Sequence, residues 1–186
     1  MMHGLLTWPA YGSWFPRLRR GWIDRHHRGG LDALPEPTRG STDRRQRLKW
    51  PAVTLSPSQQ AVVIGDLIRI ASLRDFDLRA VAAAADHVHV LLDCAPDRDV
   101  PRLVQLVKGA LSRALTVAAG DEPATSTGGG TLIHHKWWTR QYSFRWIGES
   151  GQKQRVLEAL WAHGAEGAGV WTDPQWAAGG QGDIGE

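Results

Sequence analysis

Two histidines separated by one residue are the clearest candidates for chemistry in this sequence. His87 and His89 enclose Val88 and are followed by the apolar residues Val90, Leu91 and Leu92. Because side chains alternate along a β-strand, both imidazoles are expected to project from the same face of the strand. Two neighbouring imidazoles form half of a divalent-metal site. The pattern by itself also fits a structural pair of histidines, which is the more common role of a strand histidine.

Basic residues are concentrated in the first quarter of the chain. Between positions 17 and 49 there are ten Lys or Arg residues against four acidic ones, a local net charge of +6 on a chain whose total is +3. Such a segment favours contact with a polyanion, because neutralising phosphates releases counterions. A solvated, flexible segment is the alternative. The preferred candidates for binding a nucleic-acid backbone are Arg17, Arg19, Arg20, Arg25 and Arg28.

The bulk composition limits the class of protein. A length of 186 residues with 42% hydrophobic residues fits one globular domain. The single cysteine, Cys94, excludes an internal disulfide framework and is typical of a reducing cytosol. No apolar run reaches the length of a membrane span, so we expect a cytoplasmic protein without membrane contact.

The elements that must position these residues follow from periodicity and from breaks in the chain. Ser56 and Pro57 predict a helix start, and Asp99 predicts the N-cap of a second helix. The other boundaries predict strands at 5–14, 76–85, 87–94 and 136–147, a last helix at 152–163, a long basic excursion at 17–50 and a disordered tail at 166–186. This order predicts one α/β domain over 1–165, with an antiparallel central sheet of ferredoxin-like topology and helices packed on it.

Several motifs together resemble one family, the single-tyrosine HUH transposases, and within it the subgroup of REP-associated tyrosine transposases. The stretch 85–92 resembles the signature histidine-hydrophobic-histidine. The other similar stretches are Leu6-Thr7-Trp8, Tyr11-Gly12-Ser13-Trp14, residues 20–25, and Trp137-Trp138-Thr139-Arg140 followed by Ser143, Arg145 and Trp146. They cover most of residues 5–165 in the family's order, so the resemblance is more specific than the two histidines alone.

The resemblance implies a metal site and a nucleophile. In such enzymes two histidines and a polar residue of the last helix hold a divalent cation, Mg²⁺ or Mn²⁺, that polarises the scissile phosphate. A tyrosine one helical turn before the third ligand attacks that phosphate. Alignment of the last helix places His163 at the third ligand and Ala159 at the tyrosine. As an alternative, His163 is a surface histidine that interacts favourably with the helix dipole.

Ala159 is a departure from the family pattern, since a methyl group cannot attack phosphorus. The only tyrosines are Tyr11 and Tyr142, and neither lies on the last helix. Three explanations stay open. The lineage has lost cleavage, the alanine was introduced to trap an uncleaved state, or another nucleophile has taken over.

The resemblance also implies single-stranded or hairpin DNA as the partner, with a homodimer or a larger protein–nucleic acid complex as the assembly. Arginines and tryptophans are suited to phosphates and bases, although Trp138 could equally be a core residue. Besides the basic stretch, the candidate nucleic-acid-binding residues are Lys108, Arg113, Trp138, Arg140 and Arg145.

Three functions are therefore compatible with the sequence. The first is an HUH transposase that binds DNA and whose cleavage and rejoining reaction is disabled at Ala159. The second is a domesticated, non-catalytic module that binds DNA or RNA. The third is a metal-dependent nuclease in which water replaces the tyrosine.

Overall fold

A computed structural model describes residues 2–13, 48–120, 136–148 and 150–179 of the chain. Most of the basic excursion, 17–47, lies outside these residues. The described elements are the strands β1 (Met2–Pro9), β2 (Asp77–Ala83), β3 (His87–Cys94), β4 (Ser143–Ile147) and β5 (Gly169–Thr172), and the helices α1 (Pro57–Ser72), α2 (Val100–Ala118), α3 (Ser150–Ala165) and α4 (Pro174–Gly179).

The five strands form one open antiparallel sheet in the order β4-β1-β3-β2-β5. The first four strands in this order, with α1 and α2 as the connections, have the ferredoxin-like arrangement. The predicted α/β domain with an antiparallel central sheet is thereby confirmed. Among the described residues, no helix is long and apolar enough to cross a membrane.

Strand β3 lies in the middle of the sheet, and its side chains pack on both faces of the sheet. Val88, Val90 and Leu92 point into the main core, which α1 and α2 cover. Leu91 points the other way, into a second apolar cluster against Val156, Leu157 and Leu160 of α3. His87 and His89 share the face of Leu91 because they alternate with the valines. The last helix therefore packs on the face that carries the two histidines.

Both predicted helix starts are present. The Ser56 hydroxyl accepts from the Gln59 backbone and the Gln59 side chain accepts from the Ser56 backbone, a capping box followed by Pro57. The Asp99 carboxylate accepts from the backbone N–H of Arg102 at the start of α2.

Three strand predictions were too long, although the strand predicted at 76–85 exceeds β2 by only three residues. The first strand ends at Pro9 rather than at 14, and a turn follows in which Gly12 has φ of 76°. The predicted strand at 136–147 pairs regularly only from Ser143 onward, with an isolated bridge between Ala10 and Trp138. The adjacent residues Trp137 and Trp138 both pack in the main core, whereas a regular strand would send them to opposite faces of the sheet.

The prediction of a disordered tail from 166 onward was wrong for its first part. Strand β5 pairs with the edge of β2, and its Gly169 N–H donates to the buried side chain of Gln60 on α1 at 3.0 Å. After β5, Asp173 accepts from Arg79 at 2.9 Å. The glycine-rich composition gave no local signal for β5, because this strand is stabilised by its contacts with β2 and α1.

Strand β2 contains an irregularity where it pairs with β3. Leu78 pairs with Leu92 and Ala80 with Leu91, so Arg79 is the extra residue of a bulge. As a result, Leu78 packs in the main core while Ala80 packs in the cluster beneath α3. The Arg79 guanidinium bonds Asp93 at 2.8 Å and Asp173 at 2.9 Å, and lies 3.2 Å from Asp77.

Candidate metal centre

Three histidines from two elements meet at one end of the sheet. The ring centroids of His87 and His89 on β3 are 4.7 Å apart, and His163 on α3 lies 5.1 Å from the first and 4.9 Å from the second. One ring nitrogen of each histidine can be chosen so that all three lie within 4.8 Å of one another. The sequence placed the two strand histidines on one face and the family alignment added His163, and the structure brings these three rings together.

Each imidazole has a partner on its Nδ1 atom. The Asp86 carboxylate accepts from Nδ1 of His87 at 2.5 Å, and Thr7 Oγ1 lies 2.7 Å from Nδ1 of His89. Glu166 Oε2 lies 3.4 Å from Nδ1 of His163. Partners of this kind fix the tautomer and the orientation of a ligating histidine. The Nε2 atoms are the ones left to converge on an ion.

Burial keeps the central imidazole neutral. It lowers the pKa of His89 to about 3, and the positive charges of His87, His163 and Arg145 act in the same direction. Burial also lowers the pKa of His163, with His87 adding to the effect and Glu166 opposing it. The hydrogen bond from His87 lowers the pKa of Asp86, which keeps that carboxylate ionised. A neutral imidazole is the form that binds a metal.

A cleft of about 400 Å³ opens beside the three histidines, between α3 and the β4–β1 side of the sheet. Ala159 and His163 line it from successive turns of α3, with Ala159 exposed. Among the described residues that line the cleft, two are arginines and none is acidic, so the cleft favours an anion. Its lining is Leu5, His89, Arg145, Gln152, Arg155, Val156, Ala159, Leu160 and His163.

The predicted nucleic-acid contacts have different positions. Arg145 is exposed and lines the cleft, and Arg140 is exposed in the segment that precedes β4. Arg113 lies on α2, in a groove beside Asp66 and Arg69 of α1, on the opposite side of the sheet. The five arginines Arg17, Arg19, Arg20, Arg25 and Arg28 lie outside the described residues.

Two predicted contacts have other roles in the structure. Trp138 is only 6% exposed and packs edge-on against Trp8 at 6.0 Å, so it cannot stack on a base. The Lys108 ammonium donates to the carbonyls of Thr139 and Gln141, and burial lowers its pKa to about 8. Lys108 therefore holds the segment before β4 in place, and its charge is not presented to a phosphate.

Several site residues were missed by sequence reasoning. Thr7 pairs directly with His89 across the β1–β3 ladder, a relation that only the register reveals. Asp86 adjoins His87 in sequence and could have been noticed. Gln152 and Arg155 precede Ala159 by seven and four residues, a helical spacing that places them on its face. This spacing in the sequence could have identified Gln152 and Arg155 as residues that line the site.

Comparison with known proteins identifies one family. The profile of the family described as "Transposase IS200 like" matches residues 64–158, about half of the chain. A search of curated proteins gives no match.

Two solved structures are similar. The REP-associated tyrosine transposase bound to a REP hairpin is 10% identical, with a TM-score of 0.48 over 89% of this chain and 67% of that one. A protein titled as a transposase from Deinococcus radiodurans R1 is 18% identical, with a TM-score of 0.42 over 86% of this chain and 90% of that one. Both are distant, and the family assignment depends on the profile alone.

Proposed function

Since the chain belongs to the IS200-like transposase family, we propose that it is an HUH transposase domain that binds single-stranded or hairpin DNA but cannot form the covalent DNA intermediate. One observation carries this proposal. Ala159 lies in the cleft one helical turn before His163 and beside His89, where the resemblance places the nucleophilic tyrosine. The resemblance to REP-associated tyrosine transposases makes hairpin DNA the first ligand to test.

The residues of the cleft are suited to holding a phosphodiester. His87, His89 and His163 would hold a divalent ion, which supplies a Lewis acid that polarises a phosphate oxygen. Arg145 and Arg155, from β4 and α3, place two guanidinium groups on the same cleft. Guanidinium groups bind phosphate oxygens through paired N–H donors. The chain thus retains the means to bind and orient a DNA backbone.

The step that is lost is the attack itself. In the family reaction a tyrosine oxygen bonds to phosphorus and the 3′ oxygen of the neighbouring nucleotide leaves, so that DNA is held by a 5′-phosphotyrosine bond. The methyl group of Ala159 has no lone pair to donate. Tyr11 is 9% exposed and Tyr142 packs against the main core, so neither supplies the phenol from its present position.

Restoring the tyrosine tests this proposal. Ala159→Tyr is expected to form a covalent adduct with a labelled hairpin DNA in the presence of Mg²⁺, Mn²⁺ or Zn²⁺, visible as a slower band on a denaturing gel. Ala159→Phe is the matched control, since it fills the cleft equally without the hydroxyl. An adduct in the unmodified protein would refute the assignment of Ala159. Failure of Ala159→Tyr in every metal would favour a non-catalytic binding module.

DNA affinity tests the basic stretch. We expect the triple change of Arg17, Arg19 and Arg20 to alanine to weaken hairpin binding and to flatten its dependence on salt, since fewer counterions are released. Arg102→Ala with Arg113→Ala is the control, because both side chains are exposed on α2, across the sheet from the cleft. A salt slope that changes only in the control would show that the phosphate contact lies on α2.

Hydrolysis is a second candidate, favoured by the space beside Ala159. A cleft of about 400 Å³ can admit water next to a bound phosphate. Cleavage of DNA by the unmodified protein, with free 5′ and 3′ ends and without an adduct, would establish this candidate. Loss of that cleavage in His89→Gln would assign it to the histidine site.

A further inference from the structure

We propose that the three-histidine site selects a transition-metal ion of the zinc class over Mg²⁺, an inference that rests on the proposed metal centre and deepens it. The family resemblance led us to expect Mg²⁺ or Mn²⁺. The donor atoms that this chain brings together fit a different ion.

The donor set is made only of imidazole nitrogen. Among the residues that the structure describes, the group able to hold an ion consists of His87, His89 and His163, with no carboxylate among its members. Mg²⁺ prefers oxygen ligands in an octahedron and is held by carboxylates, phosphates and water. Imidazole suits Zn²⁺, Ni²⁺ and Cu²⁺, and three histidines with an open position are a typical catalytic zinc site.

The nearby carboxylates contact the Nδ1 atoms of the rings, away from the Nε2 atoms that would bind the ion. Asp86 accepts from Nδ1 of His87, and Glu166 lies against Nδ1 of His163. A carboxylate that accepts from the far nitrogen of a ligating imidazole is the usual outer partner of histidine at zinc sites. In this position it raises the basicity of the ligand and contributes no oxygen to the ion. Both acids therefore reinforce the preference for nitrogen-binding metals.

The arrangement leaves room for a further ligand on one side. His89 and His163 line the cleft, whereas His87 does not, so the ring cluster opens onto the cleft on the side of these two rings. A tetrahedral ion with metal–nitrogen bonds of about 2.1 Å needs nitrogens about 3.4 Å apart. Atoms already within 4.8 Å of one another reach that spacing by small ring movements. Three nitrogens with an open cleft side match a four-coordinate ion better than a six-coordinate one.

Metal titration of the stripped, tag-free protein tests the proposal without DNA. We expect one equivalent of Co²⁺ to give the intense visible absorption of a four- or five-coordinate ion, Zn²⁺ to displace it, and Mg²⁺ to bind at least a hundredfold more weakly than Zn²⁺. A Mg²⁺ affinity within tenfold of that of Zn²⁺, or a Co²⁺ spectrum of the weak octahedral type, would overturn the proposal.

Paired variants separate this site from incidental binding by other histidines. The absorption should disappear in His89→Gln and persist when His134 and His135, outside the described residues, are both changed to glutamine. The reverse pattern would place the ion elsewhere and overturn the proposal. His163→Gln, which exchanges an imidazole for an amide oxygen donor, should narrow the ratio of Zn²⁺ to Mg²⁺ affinity by at least tenfold, whereas an unchanged ratio would remove His163 from the ligand set.

The outcomes are distinguishable from those of the proposed function. Zinc-class binding with no DNA affinity would leave the metal inference standing and refute the transposase proposal. Adduct formation by Ala159→Tyr with Mg²⁺ as the tightest-bound ion would support the transposase proposal and refute the metal inference.

Discussion

The hydroxyl of Thr7 offers a sharp test of how the metal centre is organised. Thr7 lies opposite His89 in the β1–β3 pairing, and its Oγ1 is 2.7 Å from Nδ1 of that imidazole. Thr7→Val keeps the branched shape and removes the hydroxyl. The ring of His89 then loses the hydrogen-bond partner of its Nδ1 atom, so the orientation of Nε2 is no longer fixed by that bond.

The expected cost follows from the loss of one part-buried hydrogen bond. A buried polar group left without its partner costs about 1–2 kcal/mol, which corresponds to a 5- to 30-fold weaker metal affinity. Loss of an outer partner at metal sites typically costs about 10- to 100-fold. We therefore expect Thr7→Val to weaken Zn²⁺ binding by about tenfold. Thr7→Ser retains the hydroxyl and should stay close to the unmodified protein.

Two measurements on the same proteins decide the question. Zn²⁺ affinity is measured by competition against Co²⁺, and the free energy of unfolding of the metal-free protein by urea denaturation. A Thr7→Val variant that is less stable but binds Zn²⁺ with unchanged affinity would refute the reasoning, because Thr7 would then support the strand pair only. Equal loss of affinity in Thr7→Ser would refute it as well.

Three further predictions concern stability. Because the pKa of His89 is lowered to about 3, the unfolded chain takes up a proton at a higher pH than the folded one. The metal-free protein should therefore lose stability as the pH falls from about 6.5 toward 3, by at most about 1.4 kcal/mol per pH unit. Denaturation curves of His89→Gln should lack this loss, and parallel pH profiles of the two proteins would contradict the prediction. Leu160→Ala should lower the free energy of unfolding by about 2–4 kcal/mol, since Leu160 is 2% exposed on the face of α3 that packs against the sheet. A loss no larger than that of an alanine substitution at an exposed position would mean that α3 packs differently. Arg79→Met should lower the free energy of unfolding by about 2 kcal/mol, because Asp93 loses its guanidinium partner, and partial exposure makes this less than for a fully buried pair. Urea denaturation in high salt should show the same loss. A loss that salt abolishes would mean that the Arg79 ion pair acts only as a screened surface interaction.

The sequence predicted the elements whose signals are local. Strand β3 was predicted at its observed limits because Ala95-Pro96 breaks the chain directly after it. The starts of α1 and α2 were predicted from side chains that cap within three residues. The two strand histidines followed from alternation alone, which depends on no distant contact.

Features that depend on long-range contacts could not be predicted in this way. The partnership of Thr7 with His89 joins residues 82 positions apart through the strand register. The position of His163 against the strand depends on how α3 crosses the sheet, and only the family alignment suggested it. Trp138 and Lys108 looked like nucleic-acid contacts because charge and aromaticity do not distinguish an exposed side chain from one packed beneath a neighbouring segment.

The bulge at Arg79 allows this residue to be lost without reversing the side-chain alternation of β2. A substitution keeps the extra residue, so Leu78 and Ala80 still face opposite sides of the sheet. A deletion would join Leu78 directly to Ala80, and because adjacent residues of a regular strand face opposite sides, both side chains would keep their present faces. What a deletion removes is the guanidinium that bonds Asp93 on β3 and Asp173 after β5. Homologues that differ by one residue here should differ in how β5 and its loop are fastened to the sheet.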